Sequence, residues 1–92
     1  MKIEFDVLFA ETLISILTYM MKDSASATII FEEELFEHLD NLIHFPYKFR
    51  ESLYYDDVHI RDYVFKGYTI PYLIDEESDV IVVLDIFKWV EK

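Results

Sequence analysis

The chain has 92 residues, 53% of them hydrophobic and 17% aromatic, with 19 acidic against 8 basic side chains and a net charge of −11. That is enough for one domain, residues 1–92, with a real core, and too apolar for a disordered chain. The absence of cysteine excludes disulfides and thiolate chemistry, and so acidic a surface excludes general phosphate-neutralising contact with nucleic acid.

Lys2 to Phe5 reads as a short strand. Asp6 follows as a helix cap, its carboxylate able to accept backbone N–H bonds of the first turn. The first helix is predicted to run to about Met21. Phe9, Leu13, Ile16, Leu17 and Met20 fall on one face at a 3.6-residue period, with Glu11, Ser15 and Thr18 opposite. The longest uncharged run, Thr12 to Met21, is far short of the ~20 residues a membrane span needs. Lys2, Glu4 and Asp6 directly after Met1 do not read as a signal peptide, so a cytoplasmic protein is expected.

Lys22-Asp23-Ser24 is a tight connection, and Asp23 or Ser24 can cap a second helix running to about Ile43. Phe31, Leu35, Leu39 and Leu42 form its apolar stripe, flanked by Phe36 and Ile43. So short a link between two amphipathic helices predicts an antiparallel hairpin. Pro46 stops the second helix by restricting Phe45 and donating no N–H. From Pro46 to Asp57 the chain is irregular and rich in aromatics.

The last third reads as three apolar strands separated by two turn signals, an antiparallel meander. The only glycine, Gly67, falls between the first two strands, where a positive φ is needed. Pro71 lies inside the second predicted strand, Tyr68 to Ile74. Because proline cannot donate to a ladder, that strand must be open or bulged there. The final strand, Val80 to Phe87, begins as a continuous apolar run and reads as central or buried on both faces. The fold class is therefore α+β.

Glu33, Glu37 and Asp40 share one face of the second helix, either a solvated surface or a docking strip for basic side chains. Lys48, Arg50, Arg61 and Lys66 hold half of the basic residues between Pro46 and Gly67, interleaved with aromatics. Glu51, Asp56, Asp57 and Asp62 leave that segment locally neutral, so its cations can pair locally or face a ligand. Asp56, Asp57 and His59 match no metal-ligand spacing. One glycine cannot make a phosphate loop, and no nucleophile elbow is present. Neither a metal nor another cofactor is expected.

The order strand, helix, helix, three strands resembles that of the RelE/ParE family of bacterial toxins. The resemblance rests on the hairpin ending in Leu42-Ile43-His44-Phe45-Pro46, on Ile60-Arg61, on Gly67-Tyr68-Thr69-Ile70-Pro71-Tyr72-Leu73-Ile74-Asp75, and on the closing strand. It implies a small cytosolic toxin neutralised by a co-expressed antitoxin protein. RelE-like members cleave mRNA in the ribosomal A site, whereas ParE-like members poison DNA gyrase.

The residues depart from the cleaving branch. Many of its members place arginine directly after the tyrosine that matches Tyr68; here Thr69 stands there. The final strand is followed only by Lys88, Trp89, Val90, Glu91 and Lys92, with no Tyr or His to act as acid or base. The resemblance therefore implies a ParE-like toxin acting by protein–protein binding. In that reading Glu33, Glu37, Asp40, Tyr68 and Tyr72 hold the antitoxin, and Lys48, Arg50, Arg61, Lys88 and Trp89 meet a target such as gyrase. The alternatives are a ribosome-dependent endoribonuclease using Arg61 and Lys66, and a non-toxic binding module with the toxin fold. Homodimer and hetero-oligomer with the antitoxin both remain open.

Overall fold

The computed structural model describes residues 1–88. Strand β1 (Lys2–Phe5) is followed by helices α1 (Val7–Met21) and α2 (Ala25–Asp40), then by strands β2 (Ile60–Phe65), β3 (Tyr68–Asp75), β4 (Val80–Val83) and β5 (Phe87–Lys88). The predicted α+β order holds, with three refinements.

Both predicted caps form. Asp6 Oδ1 accepts the Leu8 N–H at 3.0 Å, and Ser24 Oγ, rather than Asp23, accepts the Ala27 N–H at 3.2 Å. The helices fold back on each other across the Lys22–Ser24 link. Phe9 near the start of α1 meets Phe36 near the end of α2, with ring centroids 6.5 Å apart, as an antiparallel hairpin requires. The first refinement is at the end of α2. It stops at Asp40, and Asn41–Ile43 continue as one 3₁₀ turn, the usual tightening where a helix runs out of partners for its last carbonyls.

The strand order is β1-β4-β3-β2, with β2, β3 and β4 antiparallel and β1 parallel to β4 at the edge. The hairpin between β2 and β3 turns on Lys66 (φ 48°) and Gly67 (φ 85°). Two consecutive positive φ values are what a two-residue type I′ turn requires, so Gly67 is there for its conformation. β4 lies between β1 and β3, and most of it is buried, as its apolar run predicts.

Pro71 explains the second refinement. It faces Asp62 in the β2–β3 ladder. The Asp62 N–H points away from β3, to the Arg50 carbonyl at 3.1 Å, so the two residues exchange no ladder bonds. The missing N–H of Pro71 therefore falls on the β4 side. There the strand predicted as continuous over Val80–Phe87 is broken between Val83 and Phe87. Leu84 still donates to the Pro71 carbonyl at 2.9 Å, and Asp85 Oδ1 accepts the Ile86 N–H at 2.8 Å. The bulge expected for the proline lies in the facing strand.

The core lies between the hairpin and one face of the sheet. Phe9, Leu13, Phe31, Leu35, Leu39 and Leu42 pack on Phe65, Ile70, Tyr72, Ile74, Ile81 and Val83. Each such large apolar side chain contributes about 1.5–3 kcal/mol by leaving water. The third refinement concerns the opposite face. The segment after Pro46 crosses it, with Leu53 N–H donating to Asp62 Oδ2 at 3.0 Å and Tyr54 meeting Phe87 at 4.9 Å between centroids. Thr69 and Asp62 are consequently buried although they point away from the helices.

Candidate functional site

The basic residues do not converge. Arg61 sits on β2 with its guanidinium turned inward. It donates to the carbonyls of Val58 (3.3 Å), Tyr47 (3.4 Å) and Phe49 (3.1 Å), and it stacks over the Tyr47 ring at 5.0 Å. It pins the irregular segment to the sheet. Arg50 pairs with the buried Asp62 at 3.6 Å, and Lys66 pairs with Glu34. Lys66 holds the Glu34 carboxyl below the ordinary carboxylate range, by hydrogen bond first and by charge second. Lys88 lies over the Tyr68 ring. Arg61 and Lys66 stand five residues apart along and just beyond β2, about 16 Å at strand spacing. One phosphate cannot touch both without a large rearrangement.

Lys48 differs. It is exposed, makes no ion pair among the described residues, and lies 5.6 Å from the centre of the Phe49 ring. Trp89, expected beside it at the target surface, lies outside the described residues.

The acidic strip is where the periodicity puts it: Glu33, Glu37 and Asp40 are all exposed on α2. Tyr68 is half-buried against Phe31, with ring centroids 5.7 Å apart, and retains an open side. Tyr72 corrects the expectation of a partner contact. It is fully buried, and its phenol donates to the Pro46 carbonyl at 2.6 Å. Alternation along β3 turns it toward the helices, with Ile70 and Ile74.

The sequence reasoning passed over two features. The first is a second apolar stripe on α1. Val7, Ala10, Ile14, Leu17 and Met21 follow one another at intervals of three and four residues, the spacing of a coiled-coil seam. Leu17 also belongs to the core-facing stripe and packs on the core, while the other four run beside it. Val7 is 68% exposed, Ile14 64% and Met21 48%. A shallow apolar hollow opens over Ile14, Leu17 and Met21. Ile29 and Ile30 extend the exposed apolar surface onto α2, whose outer side carries the acidic strip. The spacing is visible in the sequence, and of these five residues only Leu17 also falls on the predicted core face.

The second feature is a contact between His38 on α2 and Tyr63 on β2. His38 Nδ1 and the Tyr63 phenol are 2.6 Å apart, and burial pushes the phenol up from its ordinary value. The residues are 25 positions apart. Nothing in the local sequence pairs them, because only the docking of α2 over β2 does.

His59 and Asp57 hydrogen-bond within their own turn. Among the described residues no three His, Cys, Asp or Glu are grouped to hold a metal ion, and no helix is long and apolar enough to cross a membrane. No curated protein matches the chain. Residues 3–88 match the family described as the ParE toxin of the type II toxin–antitoxin system parDE. With nearly its whole length matched and the fold in agreement, the chain belongs to the ParE toxin family of type II toxin–antitoxin systems.

Proposed function

We propose that this toxin acts by binding protein rather than by cleaving RNA, and that DNA gyrase is its target, as the ParE-like resemblance implies. The observation that carries this reading is the contrast between the two surfaces. The cations a phosphate transition state would need are dispersed and mostly engaged, whereas Val7, Ile14 and Met21 on α1 are turned to solvent along one seam. Seams of this kind exist to receive another helix.

In this reading the antitoxin lays an amphipathic helix along Val7, Ile14 and Met21. Basic side chains on that helix meet Glu33, Glu37 and Asp40. Tyr68 borders the groove between α1 and β5 on the other flank. The target meets the opposite, less acidic end around Lys48 and Arg50, while Arg61 supports that surface from behind by pinning Tyr47 and Phe49.

The test has two arms. Expression of the chain alone should arrest growth, and co-expression of its antitoxin should restore it. Purified chain should inhibit gyrase supercoiling at micromolar concentration. Absence of inhibition sinks the gyrase assignment, and codon-dependent cleavage in primer extension on translated mRNA sinks the non-nucleolytic reading.

A further inference from the structure

A hollow of about 300 Å³ opens between the end of α2, the Phe45–Phe49 turn and the outer edge of β2. This is the lower end of the size range of small-molecule sites and is suited to one planar ring with a charged substituent. Its walls include Phe45, Phe49 and Tyr63. Phe49 and Tyr63 meet edge to face at 4.9 Å, and the 2.6 Å contact with His38 fixes the Tyr63 phenol. Phe45 stands at the rim with 71% of its surface exposed, which leaves its ring available to a stacking partner.

The polar side chains of the hollow can all donate hydrogen bonds. Lys48 contributes an ammonium with no carboxylate partner among the described residues, and Asn41 and His44 contribute an amide and an imidazole. No described lining residue is acidic, in a chain where 19 of 92 residues are. Two of the three histidines and an unpaired lysine are thus gathered beside aromatic rings, in a domain that is acidic elsewhere.

We infer that this hollow binds a ring-bearing phosphate of nucleotide size, its base stacked against Phe45 and Phe49 and its phosphate held by Lys48, Asn41 and His44. Aromatic faces and a lysine are the ordinary means of holding a nucleotide without reading its sequence. The net charge of −11 opposes a long polyanion, but a single nucleotide brings only one or two charges. The site is separate from the α1 seam, and although it shares Lys48 with the proposed target surface, the inference does not rest on the protein-binding reading.

The experiment is an NMR titration of the full chain with adenosine monophosphate, adenosine and inorganic phosphate as separate probes. It follows the Phe49 and Tyr63 rings and the His38 and His44 imidazoles. Saturable shifts confined to these residues are expected, with adenosine and phosphate each binding at least about fivefold more weakly than the nucleotide. Lys48→Gln and Phe45→Ser, both at exposed positions, should each weaken the nucleotide about fivefold or more while leaving the thermal midpoint unchanged.

A trinucleotide that binds more tightly than the monophosphate identifies the source as the end of a strand. Equal or weaker binding identifies a free nucleotide, and both results keep the site. The inference is overturned if the monophosphate does not saturate by about 10 mM, or if Lys48→Gln binds it as well as the parent. It is likewise overturned if a peptide ending in phenylalanine shifts these residues and the nucleotide does not.

Discussion

The phenol of Tyr72 donates to the backbone carbonyl of Pro46 at 2.6 Å, joining the centre of the sheet to the point where the helical hairpin ends. Burial of the ring, the largest cause, raises the phenol well above its ordinary value of 10.0. Two consequences follow. Tyr72→Phe removes the donor and should cost about 1 kcal/mol, a fall of about 4–8 °C in the melting midpoint of a domain this size. The second consequence concerns alkali. The folded state holds the Tyr72 proton more tightly than the unfolded state does. The associated stability is complete below pH 10 and is lost as the pH rises toward the folded value. Tyr72→Phe should therefore flatten the alkaline fall in stability, measured by denaturant midpoint at pH 8, 9, 10 and about 11. An unchanged alkaline slope would show that other tyrosines carry it.

How much of this was legible beforehand differs by level. Asp6, Ser24, Pro46 and Gly67 each act through their own backbone neighbourhood, so the caps, the helix stop and the hairpin turn could be read locally. The α1 and α2 core stripes were legible for the same reason. The break at Leu84 was not, because its cause is Pro71 on another strand. The placements of Tyr72 and Tyr63 are not locally determined either. Their alternation fixes which face of the sheet they share, but only the docking of α2 and of the Pro46–Asp57 segment decides which face is covered. From sequence Arg61 can either pair locally or face a ligand; the nearby Val58 carbonyl and the distant ones of Tyr47 and Phe49 make it a staple.

The turn between β2 and β3 makes a sharper test. A Cβ on Gly67 would meet nothing within 4 Å, so Gly67→Ala should be costly through its φ of 85° alone, by about 1–2 kcal/mol. Lys66 occupies the other positive-φ position without being glycine. Lys66→Asn should gain about 0.5–1 kcal/mol of backbone preference and lose the exposed pair with Glu34. Glu34 has a lowered folded value, so the contribution of that pair is present above its ordinary 4.5 and lost as the pH falls. The advantage of Lys66→Asn over the parent should therefore grow on going from pH 7 to about pH 3.5. Chemical denaturation at the two pH values measures it, and an advantage that shrinks on acidification contradicts the assigned pair.

Asp62 anchors the segment that crosses the far face of the sheet. It is 2% exposed, accepts from the Leu53 N–H at 3.0 Å, and faces Arg50 at 3.6 Å. Asp62→Ala removes the acceptor of the part-buried Leu53 N–H and frees a guanidinium, which should cost about 1 kcal/mol. The damage should be local. Amide exchange at Ser52 and Leu53 should accelerate far more than at Leu35 or Ile81, which belong to the core on the other face. Equal acceleration everywhere would mean that Asp62 supports the whole domain rather than this segment.

The α1 seam separates stability from recognition. Ile14 and Met21 are 64% and 48% exposed, so Ile14→Gln and Met21→Gln remove little buried area and should leave stability within about 0.5 kcal/mol. If the seam receives the antitoxin helix, each change should weaken that complex about tenfold or more, and the double variant should escape neutralisation while still arresting growth. Val64→Thr supplies the control, because Val64 is 48% exposed but stands on β2, away from the hairpin. It should alter neither stability nor the complex. Calorimetry of the purified pair, with a thermal melt of each toxin variant, distinguishes the possibilities. If the seam serves the fold, the changes would lower the melting midpoint, whereas if it receives no helix, they would leave the affinity unchanged. The spacing of five apolar residues at intervals of three and four, with three of them half or more open to water or nearly so, is a cost to a lone domain that a bound helix removes.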